Sequence, residues 1–98
     1  MALAYRQGDS STGHDGYPAT SCTTGASKTW WEGSLAAFNG SQHASHSKPN
    51  APVHPSSSRT ISAGSVKTWV EGNLAARVGD PIDDGDTCGA GASKTYIE

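Results

Sequence analysis

Lys28-Thr29-Trp30-Trp31-Glu32-Gly33 returns as Lys67-Thr68-Trp69-Val70-Glu71-Gly72 and, cut short, as Lys94-Thr95-Tyr96-Ile97-Glu98. A second segment accompanies it in three copies: Leu3-Ala4-Tyr5-Arg6-Gln7-Gly8-Asp9, Leu35-Ala36-Ala37-Phe38-Asn39-Gly40-Ser41 and Leu74-Ala75-Ala76-Arg77-Val78-Gly79-Asp80. The first segment recurs at offsets of 39 and 27 residues, so the loops between matched segments differ in length. An internal repeat of this kind governs the fold, because each unit must bury its apolar face against its neighbours. Each unit reads as a strand, a variable loop and a second strand. Glu-Gly between two β-type runs is hairpin chemistry. The third Glu-Gly is cut off at Glu98, and the segment that ought to follow it is Leu3–Asp9. The terminal strand is therefore expected to pair with the N-terminal one and close the ring, removing two sheet edges.

Period-2 alternation places Thr29 with Trp31, Thr68 with Val70 and Thr95 with Ile97 on one strand face. The other face carries Trp30, Trp69 and Tyr96, which we read as a core layer, a docking surface being the alternative. Gly, Ser, Pro and Thr interrupt every candidate helix. The expected fold over 1–98 is one all-β domain, a small pseudo-threefold cone or prism of short strands.

Composition narrows the function. Of 98 residues, 34% are apolar and 12 are Gly, and 7 basic residues face 9 acidic ones. The charge of −2 excludes the basic footprint of a nucleic-acid binder. No apolar run is long enough to span a bilayer, and no secretory signal is visible. So thin a core calls for a staple or a partner. Two Cys and four His offer a disulfide or a metal.

The candidate ligands are His14, His43, His46, His54, Cys22 and Cys88. His14 and His46 each lie six residues after their Gly, at equivalent loop positions. Loops converging at one end of a threefold body would bring them together. His43, in a Ser/Pro-rich loop, reads as solvated. Cys22, Ile61 and Cys88 align three residues before their Gly, which marks a small core layer and makes Cys22 a core residue. Asp80, Asp83, Asp84 and Asp86 resemble a calcium loop in charge but lack its ligand series. Asp9 and Asp80 read as turn residues.

The repeats resemble the PAAR family, the Pro-Ala-Ala-Arg proteins that sharpen the spikes of contractile injection machines. The resemblance rests on Gly72-Asn-Leu-Ala-Ala-Arg-Val-Gly-Asp80, Gly13-His-Asp-Gly-Tyr-Pro18, Ile61-Ser-Ala-Gly-Ser-Val66 and Gly79-Asp-Pro-Ile-Asp83, and runs along nearly the whole chain. The eponymous proline is Leu74 here, with Leu35 and Leu3 in the other copies. The resemblance implies a conical tip on the blunt end of a trimeric β-helical spike, one tip per trimer, touching the target membrane transiently. Such spikes belong to phage tail baseplates, hence a virion location, or to type VI secretion systems. With no appended toxin domain in the sequence, a standalone phage tip is the nearer match.

The resemblance also implies structural zinc held by three His and one Cys, carried over to His14, His46 and His54. The fourth position is open between two residues. Family register puts the cysteine at Asp84, whereas the softness of a thiolate favours Cys88, which we take as the expected ligand. No enzyme is expected, since no nucleophile motif accompanies the histidines. A carbohydrate- or receptor-binding module using Trp30, Trp31 and Trp69 is the alternative function.

Overall fold

The computed structural model describes residues 2–97, so Met1 and Glu98, with the truncated third turn, lie outside the described residues. Its strands are short: β1 (Ala2–Leu3), β2 (Trp30–Trp31), β3 (Ser34–Leu35), β4 (Trp69–Val70), β5 (Asn73–Leu74) and β6 (Tyr96–Ile97). A 3-10 turn at Ser56–Ser58 is the helical element among the described residues. The chain is all-β, as the repeat pattern requires.

Each hairpin follows from its turn. Glu32 and Gly33 have φ of 50° and 86°, and Glu71 and Gly72 have φ of 50° and 91°. Positive φ at both central residues is the turn that matches strand twist, and Gly takes the second place without Cβ strain. The resulting register is the same in all three sheets. Trp30 faces Leu35, Trp69 faces Leu74, and Tyr96 faces Leu3. The third pairing joins the two ends of the described chain, so the expected ring closure is present.

The ring itself is a cyclic set of equivalent contacts. Antiparallel bridges join Arg6 to Ala36, Phe38 to Ala75 and Arg77 to Ala4. Backbone N–H groups of Ala37, Ala76 and Tyr5 donate to the carbonyls of Tyr5, Ala37 and Ala76 at 3.0, 3.0 and 3.1 Å. Each copy thus donates to the one before it, and the circle closes. Turn residues repeat as well: the Asp9 and Asp80 carboxylates and the Ser41 hydroxyl accept from the N–H of Arg6, Arg77 and Phe38.

Successive residues of the second segment enter different core layers. Ala4, Ala36 and Ala75 pack with Ala26, Val70, Ala92 and Ile97, whereas Tyr5, Ala37 and Ala76 pack with Cys22, Ile61, Ile82 and Cys88. Successive residues thus alternate between two buried layers in a body measuring 40 × 23 × 22 Å. Cys22 is a core residue as expected, and both cysteines are free thiols.

The aromatic strand face needs correction. Trp30, Trp69 and Tyr96 are 58%, 63% and 54% exposed, so they do not form a core layer. Their neighbours Val70 and Ile97 turn inward, and Trp31 packs half-buried beside them. The layer they join is already filled by alanines, and alternation sends the adjacent ring outward.

Candidate metal centre

The three unequal loops meet at one place, each by its own device. In the first, Asp15 and Gly16 take φ of 46° and 83°, a tight turn that pairs His14 with Tyr17. In the second, a longer excursion returns so that His46 and His54 exchange N–H···O bonds of 3.1 and 2.9 Å. His54 therefore occupies in copy two the place Tyr17 occupies in copy one. In the third copy, the position equivalent to His14 and His46 is Gly85. A Cβ there would lie 3.4 Å from His14 Nδ1, so glycine makes room for the histidine. The preceding residue, Asp84, supplies that copy's side chain.

His14, His46, His54 and Asp84 present one donor atom each, all within 4.8 Å of one another, an arrangement able to hold a metal ion. Asp84 Oδ2 lies 3.6 Å from His14 Nε2, 3.1 Å from His46 Nε2 and 3.2 Å from His54 Nδ1. His46 Nε2 is 3.3 Å from His14 Nε2 and 2.9 Å from His54 Nδ1. Tetrahedral bonds of about 2.0–2.1 Å put neighbouring ligand atoms about 3.3–3.4 Å apart, so these spacings fit such a site. The donors come from all three repeat copies.

Outer contacts aim the rings. His46 Nδ1–H donates to the Pro18 carbonyl at 2.8 Å, and His14 Nδ1 lies 3.3 Å from Asp15 Oδ2. Both leave Nε2 facing the cluster, the second-layer pattern of metal-binding histidines. Tyr17 stacks on His54 with centroids 3.9 Å apart and on His46 at 4.7 Å. Its hydroxyl donates to the Pro52 carbonyl at 2.7 Å, and Lys48 Nζ lies 4.7 Å over its ring and also bonds the Asp15 carbonyl. This ring covers the imidazoles from one side.

The fourth position is the main correction. Cys88 does not stand with the three histidines; it is buried beside Cys22, Ile61 and Tyr5, in the layer its repeat register marks. Burial, reinforced by nearby Asp80, pushes its thiol well above the ordinary value, and Cys22 is pushed up to about 11 chiefly by burial. A neutral buried thiol is a poor ligand. Softness was the wrong criterion, because no loop brings that sulfur to the cluster.

His43 is likewise corrected: it is fully buried rather than solvated. It lies two residues after Ser41, at the position Ile82 holds after Asp80, and that position points inward. Tyr5 Oη donates to the Asp9 carbonyl at 3.0 Å, so it accepts from His43 Nε2 at 2.8 Å. Burial, and after it the Arg59 charge, lower the His43 pKa and so disfavour its protonation. The comparison with Ile82 was available in the sequence and predicts this burial.

In the sequence Asp86 stands out only as part of an acidic run and Arg59 not at all, although the two stand at equivalent positions, two residues before Ile61 and Cys88. Both side chains are without exposure, and Arg59 Nη2 lies 3.2 Å from Asp86 Oδ2. Burial acts to raise the Asp86 pKa, yet bonds from Ser11, the Thr87 N–H, Thr12 and Arg59 hold it down at about 2. Asp84 is also lowered: burial opposes, and Arg59 with the Asp86 N–H prevails. An unpaired buried charge is costly, which is why the two carboxylates and the guanidinium occur together.

No family model matches the chain, and no curated protein matches it.

Proposed function

We propose that this chain is the structural tip of a contractile injection machine, capping the blunt end of a trimeric β-helical spike. The observation that carries the reading is the cyclic ring of equivalent backbone contacts, in which three copies within one chain repeat the same geometry. A pseudo-threefold monomer can meet a true threefold trimer through three similar contacts, and closed symmetry favours such matching. Trp30, Trp69 and Tyr96 sit at equivalent positions and are exposed, so the same aromatic contact is offered three times. Exposed aromatics of this kind are the usual anchors of protein interfaces.

Zinc is the metal we assign to His14, His46, His54 and Asp84. Three imidazoles and a carboxylate suit it, and four protein donors make a closed structural site. When bound, the ion cross-links one loop from each repeat copy. A pinned end resists bending as the spike meets a membrane, so the tip acts as a passively loaded point with no turnover. The location that follows is a virion tail baseplate, or alternatively the spike of a type VI system.

The test mixes the purified chain with a trimeric β-helix tip fragment and measures complex mass and metal content together. One chain and one zinc per trimer is the expected result. Replacing Trp30, Trp69 and Tyr96 together by Ala should weaken the complex at least about tenfold, since each anchor contributes upwards of ~1 kcal/mol. No association with such trimers overturns the capping function. Sugar binding lost in that same variant would instead support the carbohydrate-binding module. His46→Ala should lower bound zinc and Tm together, and unchanged zinc would remove His46 from the site.

A further inference from the structure

Arg59 is the largest side chain in the described residues without solvent exposure, and it stands two residues before Ile61, the register position that Thr20 and Asp86 hold before Cys22 and Cys88. Its Nε donates to the Ala44 carbonyl at 2.9 Å, and Nη2 to Thr20 Oγ1 at 2.7 Å and Asp86 Oδ2 at 3.2 Å. Nη1 is aimed at the cluster itself. It donates to Asp84 Oδ2 at 2.7 Å and lies 3.0 Å from His46 Nε2.

The contact with His46 decides the chemistry. Its Nδ1–H is committed to the Pro18 carbonyl, so a neutral His46 has one lone pair, at Nε2. That lone pair is what a metal would use, and Nη1 is placed to take it. One lone pair cannot serve both. Asp84 Oδ2, the oxygen facing all three imidazoles, is held by the same guanidinium nitrogen. With neutral imidazoles, Asp84, Asp86 and Arg59 sum to −1, whereas the carboxylates alone would sum to −2.

We propose that Arg59 is a built-in cation that competes with the divalent metal for His46 Nε2 and Asp84 Oδ2, setting the affinity of the site and holding its loops together when no metal is bound. The proposal rests on the metal reading above. Small zinc domains commonly unfold without their ion, because nothing else satisfies the converging donors. Here the planar fork of arginine, with donors in fixed geometry, satisfies them. Charge repulsion between the guanidinium and a divalent ion then lowers metal affinity.

The experiment uses the full chain and Co(II), titrated against a chromophoric chelator, with Tm measured with and without EDTA. Wild type is compared with Arg59→Lys and with the double variant Arg59→Gln/Asp86→Asn, which removes the buried Arg59–Asp86 pair and keeps Asp84. The double variant leaves the summed charge at −1 but frees His46 Nε2 and Asp84 Oδ2 from the guanidinium, so it should bind Co(II) at least about tenfold more tightly, and its Tm should depend more on metal. Arg59→Lys, which keeps the cation but loses the fork, should bind Co(II) more tightly than wild type and less tightly than the double variant. Equal affinities for wild type and the double variant overturn the competition while leaving the metal site intact. Binding by the double variant alone would show that Arg59 excludes metal from the natural chain, which supports the competition and overturns the zinc reading. No Co(II) binding by either overturns both. If the double variant does not fold, the wild type decides. A loss of more than about 10 °C on adding EDTA, well over 1 kcal/mol, would overturn the holding role, and a loss of a few degrees supports it.

Discussion

The hairpins and the histidine cluster are built on opposite plans. Around the hairpins, contacts recur in equivalent versions. Glu71 accepts from the Ser27 and Lys28 N–H groups and from the Ser27 and Thr29 hydroxyls, and Glu32 accepts in the same way from Ser93, Lys94 and Thr95. At the cluster, no two copies do the same thing. One provides His14 and a tyrosine lid, one provides two histidines and an arginine, and one provides two aspartates with a glycine between them. The difference teaches where symmetry is useful. Backbone rings gain from repetition, since each copy satisfies the next. A four-donor centre on a threefold body cannot be symmetric, so its loops diverge in length and residue type.

The sharpest way to break this comparison is at the asymmetric end. If the loops were surface decoration, removing Asp86 would cost no more than an exposed substitution. Because Asp86 faces Arg59 with both side chains buried, Asp86→Ala should destabilise by about 3–5 kcal/mol, read by urea unfolding. A loss under about 1 kcal/mol would mean that Arg59 finds other partners and the polar end is not integral to the fold.

Next comes the layer between the two ends. Ile61 is fully buried at the position Cys22 and Cys88 hold in the other copies. Ile61→Ala should cost about 2–5 kcal/mol through lost burial and a residual cavity. Cys22→Ala and Cys88→Ala, removing only a sulfur, should each cost less and should leave metal binding unchanged. Loss of metal in Cys88→Ala would restore that thiol as a ligand.

The smallest effects belong to the exposed hairpin carboxylates. Glu32 and Glu71 are each lowered from 4.5 to about 2, by the Thr95 hydroxyl and Lys94 N–H for Glu32 and by the Ser27 hydroxyl and Lys28 N–H for Glu71. A depressed folded pKa stabilises above the unfolded value, and that stability is lost as pH falls through the folded one. Stability should therefore decline between about pH 4.5 and 2, a window Asp86 shares. The double variant Glu32→Gln/Glu71→Gln should lose less Tm than wild type across that window. The two single variants should match each other, as the symmetric plan requires.

The sequence determined the repeat, the two hairpins, the closure of the ring and the meeting of His14 with His46. These are matters of local chemistry: Glu-Gly sets the turn, alternation sets the strand faces, and equal spacing after a Gly sets equal position. His43 lay within reach too, by its register with Ile82. Only the tertiary structure decided that Asp84 rather than Cys88 faces the histidines, that Trp30, Trp69 and Tyr96 face solvent, and that Arg59 lies beneath the cluster. Alternation tells which residues share a face, but packing against the buried alanine cluster decides which face is buried. Likewise, ligand type is written in the side chain, while ligand position depends on loops 30 to 70 residues apart closing on a single point.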